Sequence, residues 1–150
     1  MSVNLTRVLV AVDFSPTSDK AFDYAIEFAR VFGAGVLAVH IVEDPILYAP
    51  TTDPSYRADF EKMIQRKLDS LIEHRNCEGL SIQTMIKAGS PFYEIINLAG
   101  TEDCELIIMG THGHGPLQHV LMGSVAEKVV RKAKCPVLVV RPDQHQFVLP

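Results

Sequence analysis

The chain has 150 residues, 47% of them hydrophobic and 21% charged, which excludes bulk disorder and fits one compact domain over residues 1–150. With 14 basic against 18 acidic residues the net charge is −4. There is no run of Lys or Arg and no aromatic-basic platform, so nucleic acid is not an expected partner.

No segment approaches the ~20 apolar residues of a membrane helix. The opening MSVNLTRVLVAVDF is too short in its apolar run for a signal peptide. A cytoplasmic location is expected by elimination. Cys77, Cys104 and Cys135 are isolated and show no C-x-x-C spacing, so reduced thiols are expected in place of a disulfide framework or zinc site.

In chain order, five β-branched runs alternate with helical segments: RVLVAV (7–12), GVLAVHIV (35–42), LSIQTMI (80–86), ELIIMG (105–110) and CPVLVV (135–140). Most are continuously apolar, as suits strands covered on both faces. After the first run, Ala21, Ala25, Phe28, Ala29 and Phe32 form a helical stripe; after the second, Phe60, Met63, Ile64, Leu68, Leu71 and Ile72 form another. Ser15-Pro16, Asp53-Pro54 and Ser90-Pro91 each pair a capping residue with a proline suited to the first helical turn. The pattern βαβαβαβαβ defines an α/β fold with a parallel sheet. The segment Glu43 to Asp53, EDPILYAPTTD, is expected as a surface loop or lid.

In such sheets ligands sit beyond the carboxyl ends of strands where strand order reverses. Asp13, Ile41-Val42-Glu43 and Gly110 stand at such ends. Gly110 opens the stretch GTHGHGPLQHVLMGS, which delivers the chain to the helical segment SVAEKVVRKA. Glycines let a backbone approach a ligand closely, and helix amides with their dipole favour anions. Ser124-Val125-Ala126-Glu127 also reads as a capping box, so Ser124 serves its helix, a phosphate or both.

Two other chemistries compete for this loop. His112, His114 and His119 have no Cys, Asp or Glu beside them to complete a metal site. Thr111-His112-Gly113-His114 matches the T/H-x-G-H pattern of nucleotidyltransferases, but it follows the fourth strand where that motif follows the first. No P-loop is present, and residues 110–124 contain no Lys or Arg to neutralise a transferring phosphoryl group.

The stretches VLVAVDFSPTSDKAFDYAIEFA, AVHIVED and LIIMGTHGHGPLQHVLMGSVAEKVVRKAKCPVLVVRP resemble the universal stress protein family over essentially the whole chain. The most specific element is G-x(2)-G-x(9)-G-[ST], carried here by Gly110, Gly113, Gly123 and Ser124, which in that family marks members that bind ATP. The resemblance implies a five-stranded parallel sheet of order 3-2-1-4-5, Rossmann-like, with helices on both faces. It implies that Ala11, Val12 and Asp13 line the adenine and ribose end, with Ile41 against the base and Met109 at the floor. Gly110, Gly113, Gly123, Ser124 and Val125 would present amides and a hydroxyl to the phosphates.

The implied ligand is ATP with Mg2+ or Mn2+, and the implied activity is a nucleotide-dependent regulator or sensor in stress response with at most slow hydrolysis. The implied assembly is an antiparallel homodimer through Val137–Val140; shielding of that strand by the tail DQHQFVLP is the alternative. Ala11-Val12 departs from the proline and polar residue many ATP-binding members carry there, which puts the base contacts in question. His112 and His114 would make phosphate affinity depend on pH. An ATP-hydrolysing or nucleotidyl-transferring enzyme, and a partner-binding module without nucleotide, are the competing functions.

Overall fold

Local signals set most of the element boundaries. A computed structural model describes residues 1–112 and 122–142 of the chain. These form β1 (Arg7–Ala11), α1 (Pro16–Phe32), β2 (Gly35–Val42), α2 (Pro54–Glu73), β3 (Ile82–Ala88), α3 (Pro91–Thr101), β4 (Leu106–Gly110), α4 (Ser124–Lys132) and β5 (Val137–Val140).

The start of α1 follows its sequence signal closely. Ser15 is the N-cap, its hydroxyl accepting the Ser18 amide, and Pro16 occupies the first turn. The helix ends on Gly33 at φ 68°, a left-handed conformation glycine adopts without steric cost. Asp53 caps α2 through the Ser55 amide. Ser90 takes the N-cap position of α3, but its side chain makes no capping hydrogen bond there.

The five strands pair in parallel in the order β3-β2-β1-β4-β5. Alternating residues divide the core into two layers, because successive side chains leave a strand on opposite faces. Val8 and Val10 of β1 join Val36 and Ala38 of β2 beneath α1 and α2. Leu9, Leu37, Val39, Ile107 and Met109 join Ile95 and Leu98 of α3 and Ala126 and Val129 of α4 on the other face. Helices therefore cover both faces, and the central strands β1, β2 and β4 carry most of the buried strand residues.

The edge strands differ for a physical reason. β3 runs over Ile82–Ala88, two residues later than the run 80–86, because Leu80 lies in a turn closed by its amide on the Cys77 carbonyl. No residue of β3 is fully buried, and Gln83 and Lys87 are exposed. In β5 only Val140 is buried.

The helical stripes are displaced slightly from expectation. α1 buries Phe22 and Ile26 beside Ala21, Ala25 and Ala29, while Phe32 is 43% exposed in the turn before Gly33. α2 buries Ile64, Leu68 and Leu71 but leaves Met63 exposed. Arg75, just beyond α2, ties the two helices together. Its guanidinium donates to the Asp23 carboxylate and to the Asp19 and Leu71 carbonyls, and it lies 5.2 Å over the Phe22 ring. The segment 43–53 is a series of turns, pinned by buried Leu47 and by the Tyr48 hydroxyl on Glu61.

Cys77, Cys104 and Cys135 are free thiols. Burial pushes the Cys104 thiol up to about 11, against an ordinary value of 9.0. A raised folded-state pKa gives stability that is complete below the ordinary value and is lost as pH rises towards the folded one. Between about pH 8 and about pH 10 the wild-type protein should therefore lose about 1 kcal/mol more stability than Cys104→Ala, read from urea midpoints. Equal alkaline losses in the two proteins would exclude Cys104 as the source.

Candidate functional site

The chain runs β1 to β2 to β3 towards one edge of the sheet and then returns to build β4 and β5 on the other side of β1. The carboxyl ends of β1 and β4 flank that reversal. Between them opens a cavity of about 560 Å³, a size suited to a small organic ligand. Ala11 lines it from the end of β1 with Val12 and Asp13 just beyond, Ile41 from β2 with Glu43 just beyond, and Met109 and Gly110 from β4. Gly123, Ser124 and Val125 close it from the start of α4. Nine of the ten residues singled out from sequence thus meet in one cavity. The tenth, Gly113, lies outside the described residues, as do His114, His119 and the tail DQHQFVLP.

The β1 side is a tight polar turn. The Asp13 carboxylate accepts the Ser15 amide at 2.9 Å, and the Asp13 amide donates to the Ser18 hydroxyl at 3.0 Å. Asp13 therefore does serve the turn, as a residue at a strand end commonly does, while lining the cavity as well. Met109 is buried at the floor, 5% exposed, and Ile41 is half-buried.

The glycines have separate physical reasons. A Cβ on Gly110 would stand 2.8 Å from Thr17 Cγ2, so this glycine lets the first turn of α1 sit against the end of β4. A Cβ on Gly123 would stand 2.9 Å from the Thr111 carbonyl oxygen. The Gly123 amide donates to that same oxygen at 2.7 Å. This corrects one expectation: the Gly123 N–H is engaged within the protein, and a ligand does not receive it in this arrangement.

The capping box is also corrected. Gly123 is the N-cap of α4, Ser124 is the first helical residue, and no side-chain capping hydrogen bond forms. Glu127 instead pairs with Arg131 one turn on, at 3.0 Å. Its carboxylate is thereby drawn along the helix and away from the first turn. A helix leaves its first amides without intrahelical acceptors. Here those beyond Gly123 belong to Ser124, Val125 and Ala126, all lining the cavity.

Charges in the lining are few. Among the described residues it contains the carboxylates Asp13 and Glu43, the imidazoles His40 and His112, and no Lys or Arg. His112 places Nδ1 3.0 Å from the Thr111 hydroxyl, while its buried Nε2 has no hydrogen-bond partner among the described residues. Among those residues, no three His, Cys, Asp or Glu side chains group as metal ligands.

Sequence reasoning did not single out His40, Ser18, Thr111, Pro91, Ile95 or Ala126 as lining residues. His40 carried a usable signal, as the only polar residue in GVLAVHIV. Pro91 and Ile95 carried none, since nothing local tells which face of the sheet α3 covers.

The switch-point crevice, bounded by a helix N-terminus, defines a doubly wound α/β protein with a cavity at the carboxyl ends of its strands. The universal stress protein family model matches residues 4–141, and the chain belongs to that family. Universal stress protein MJ0531 of Methanocaldococcus jannaschii is 32% identical over 143 residues, covering 93% of this chain and 84% of its own length. The solved structure of MJ0577 superposes with a TM-score of 0.78 at 26% identity, covering 95% of this chain and all of that one (100%). A universal stress protein from Archaeoglobus fulgidus solved in complex with dAMP has a TM-score of 0.63 and 22% identity, covering 93% of this chain and 99% of that one. This last likeness concerns the fold. Among the described residues, no helix is long and apolar enough to cross a membrane.

Proposed function

We propose that this chain is an ATP-binding regulator or sensor in stress response, acting in the cytoplasm with at most slow hydrolysis. One observation carries the reading: the uncapped amides of α4, the carboxyl end of β1 and the floor residue Met109 share one cavity at the sheet's reversal. Adenine and ribose are assigned to Ala11, Val12, Asp13 and Ile41, with Met109 beneath. The phosphates are assigned to the loop from Gly110 through Gly113 and to Ser124 and Val125, with Gly123 holding that helix start in place. A protein of the same fold holding dAMP is consistent with an adenine nucleotide here.

The donor set also suits a hard divalent cation. Such ions bind through one or two carboxylates together with ligand phosphates, and Asp13 and Glu43 supply carboxylates to the lining. Bound Mg2+ or Mn2+ would neutralise phosphate charge that no described lining Lys or Arg offsets. The same lack of cations weighs against rapid phosphoryl or nucleotidyl transfer.

The test is to purify the protein without added nucleotide and identify what it carries by mass spectrometry. Retained ATP supports slow turnover, and ADP or AMP points to hydrolysis. If nothing is retained and calorimetry detects no ATP or AMP binding, the nucleotide reading fails and a partner-binding module remains.

The assembly belongs to the same proposal. Among the described residues β5 is the outermost strand on its side of the sheet, and Val137, Leu138 and Val139 along it are only half-buried. An exposed edge of this kind invites pairing with a second copy about a two-fold axis. Light scattering that finds a monomer at micromolar concentration would remove the homodimer.

A further inference from the structure

His40 stands near the end of β2 and is half-buried. Its Nδ1 lies 2.7 Å from the Val12 carbonyl oxygen. A carbonyl only accepts, so Nδ1 carries the proton and donates it. Burial pulls the His40 pKa below its ordinary value, which favours the neutral ring. Asp13 and Lys67 are the charged groups that act on it.

The placement of that bond matters more than its strength. The last residue pair of the β1–β2 ladder is Ala11 with Val39, and the Val12 amide still reaches the Val39 carbonyl at 2.8 Å. The Val12 carbonyl is held by the His40 side chain where the strand gives way to a turn. Two residues on, Phe14 sits at φ 63°, a conformation that a bulky side chain adopts only when its surroundings enforce it. The His40 ring packs against Phe14 with centroids 4.9 Å apart, and Lys67 from α2 lies 5.3 Å over the same Phe14 ring. His40 thus holds both neighbours of Asp13, one by a hydrogen bond and the other by ring contact.

We propose that His40 is a positioning residue: through Val12 and Phe14 it sets the turn that places Asp13 in the cavity. Its consequence for ligand affinity rests on the nucleotide reading above; its effect on the turn does not. The turn itself can be followed in the ligand-free protein through the Ser15 amide, which donates to the Asp13 carboxylate.

The test compares His40→Leu, which removes the donor, with His40→Asn, which keeps a donor near the position of Nδ1. Amide hydrogen exchange at Ser15 is measured without ligand, and ATP and AMP affinities are measured by calorimetry. His40→Leu should speed Ser15 exchange and weaken nucleotide binding, each by about tenfold, the scale of one lost hydrogen bond. His40→Asn should restore both to within about threefold of wild type. In an Asp13→Ala background, His40→Leu should cause no further loss of affinity, because its effect runs through Asp13. Should the leucine variant not fold, His40→Gln replaces it, since its donor sits too far along the side chain. Unchanged Ser15 exchange, or equal losses in the asparagine and donor-displacing variants, would overturn the proposal. If the wild type binds no nucleotide, the function assigned above fails, and Ser15 exchange alone still decides the role of His40.

Discussion

Gly123→Val is expected to weaken adenine-nucleotide binding by about a hundredfold or more, equivalent to about 2.7 kcal/mol. The added Cβ would stand 2.9 Å from the Thr111 carbonyl oxygen, and that neighbour is backbone with no rotamer to escape through. The hydrogen bond from the Gly123 amide to the same oxygen, 2.7 Å long, holds the start of α4 against the end of β4. Relieving the clash must therefore move the first turn of the helix, and with it the amides of Ser124, Val125 and Ala126. The rest of α4 remains anchored by buried Val129, so the fold should survive the change. Calorimetry against ATP and AMP, with circular dichroism to confirm folding, provides the measurement. A folded variant with wild-type affinity would mean that the start of α4 does not contact the ligand.

Gly110→Ala should act mainly on stability, although both glycines belong to the same motif. Here the new Cβ meets α1, with contacts of 2.8 Å to Thr17 Cγ2, 3.2 Å to its Cβ and 3.3 Å to its backbone carbon. Thr17 is itself buried, 6% exposed, and cannot swing aside. Overpacking of this kind costs about 1–3 kcal/mol, to be read from urea denaturation. Thr17→Ser removes the nearest atom, Cγ2, and should recover about half of that loss in the double variant, with the two remaining contacts keeping the rescue partial. Losses that simply add would show that the clash with Thr17 is not the cause.

These two glycines illustrate how far the sequence could be read. Their spacing identified the loop, and the position of the loop after the fourth strand identified the right edge of the sheet. Both signals are local. The reason for each glycine is not: Gly110 is required by Thr17, far earlier in the chain on α1, and Gly123 by a carbonyl on the far side of its own loop. Ser124 shows the same limit. S-V-A-E is a sound capping signature, yet Glu127 pairs with Arg131, and the cap falls one residue earlier, on Gly123. Competition between two partners for one carboxylate is decided by geometry that a linear motif does not contain.

By itself the sequence determined the alternation of strands and helices, because apolar periodicity and Ser-Pro or Asp-Pro starts act within a few residues of where they are written. It also determined the α/β class with a parallel sheet, since runs apolar on both faces suit strands covered on both sides. The order 3-2-1-4-5 came from family resemblance, and pairing across the sheet bears it out. Tertiary structure alone decided which amides are left uncapped at α4, which face α3 covers, and that His40 grips the turn at Asp13. Those outcomes depend on contacts between residues far apart in sequence, which form only when the strands align in register.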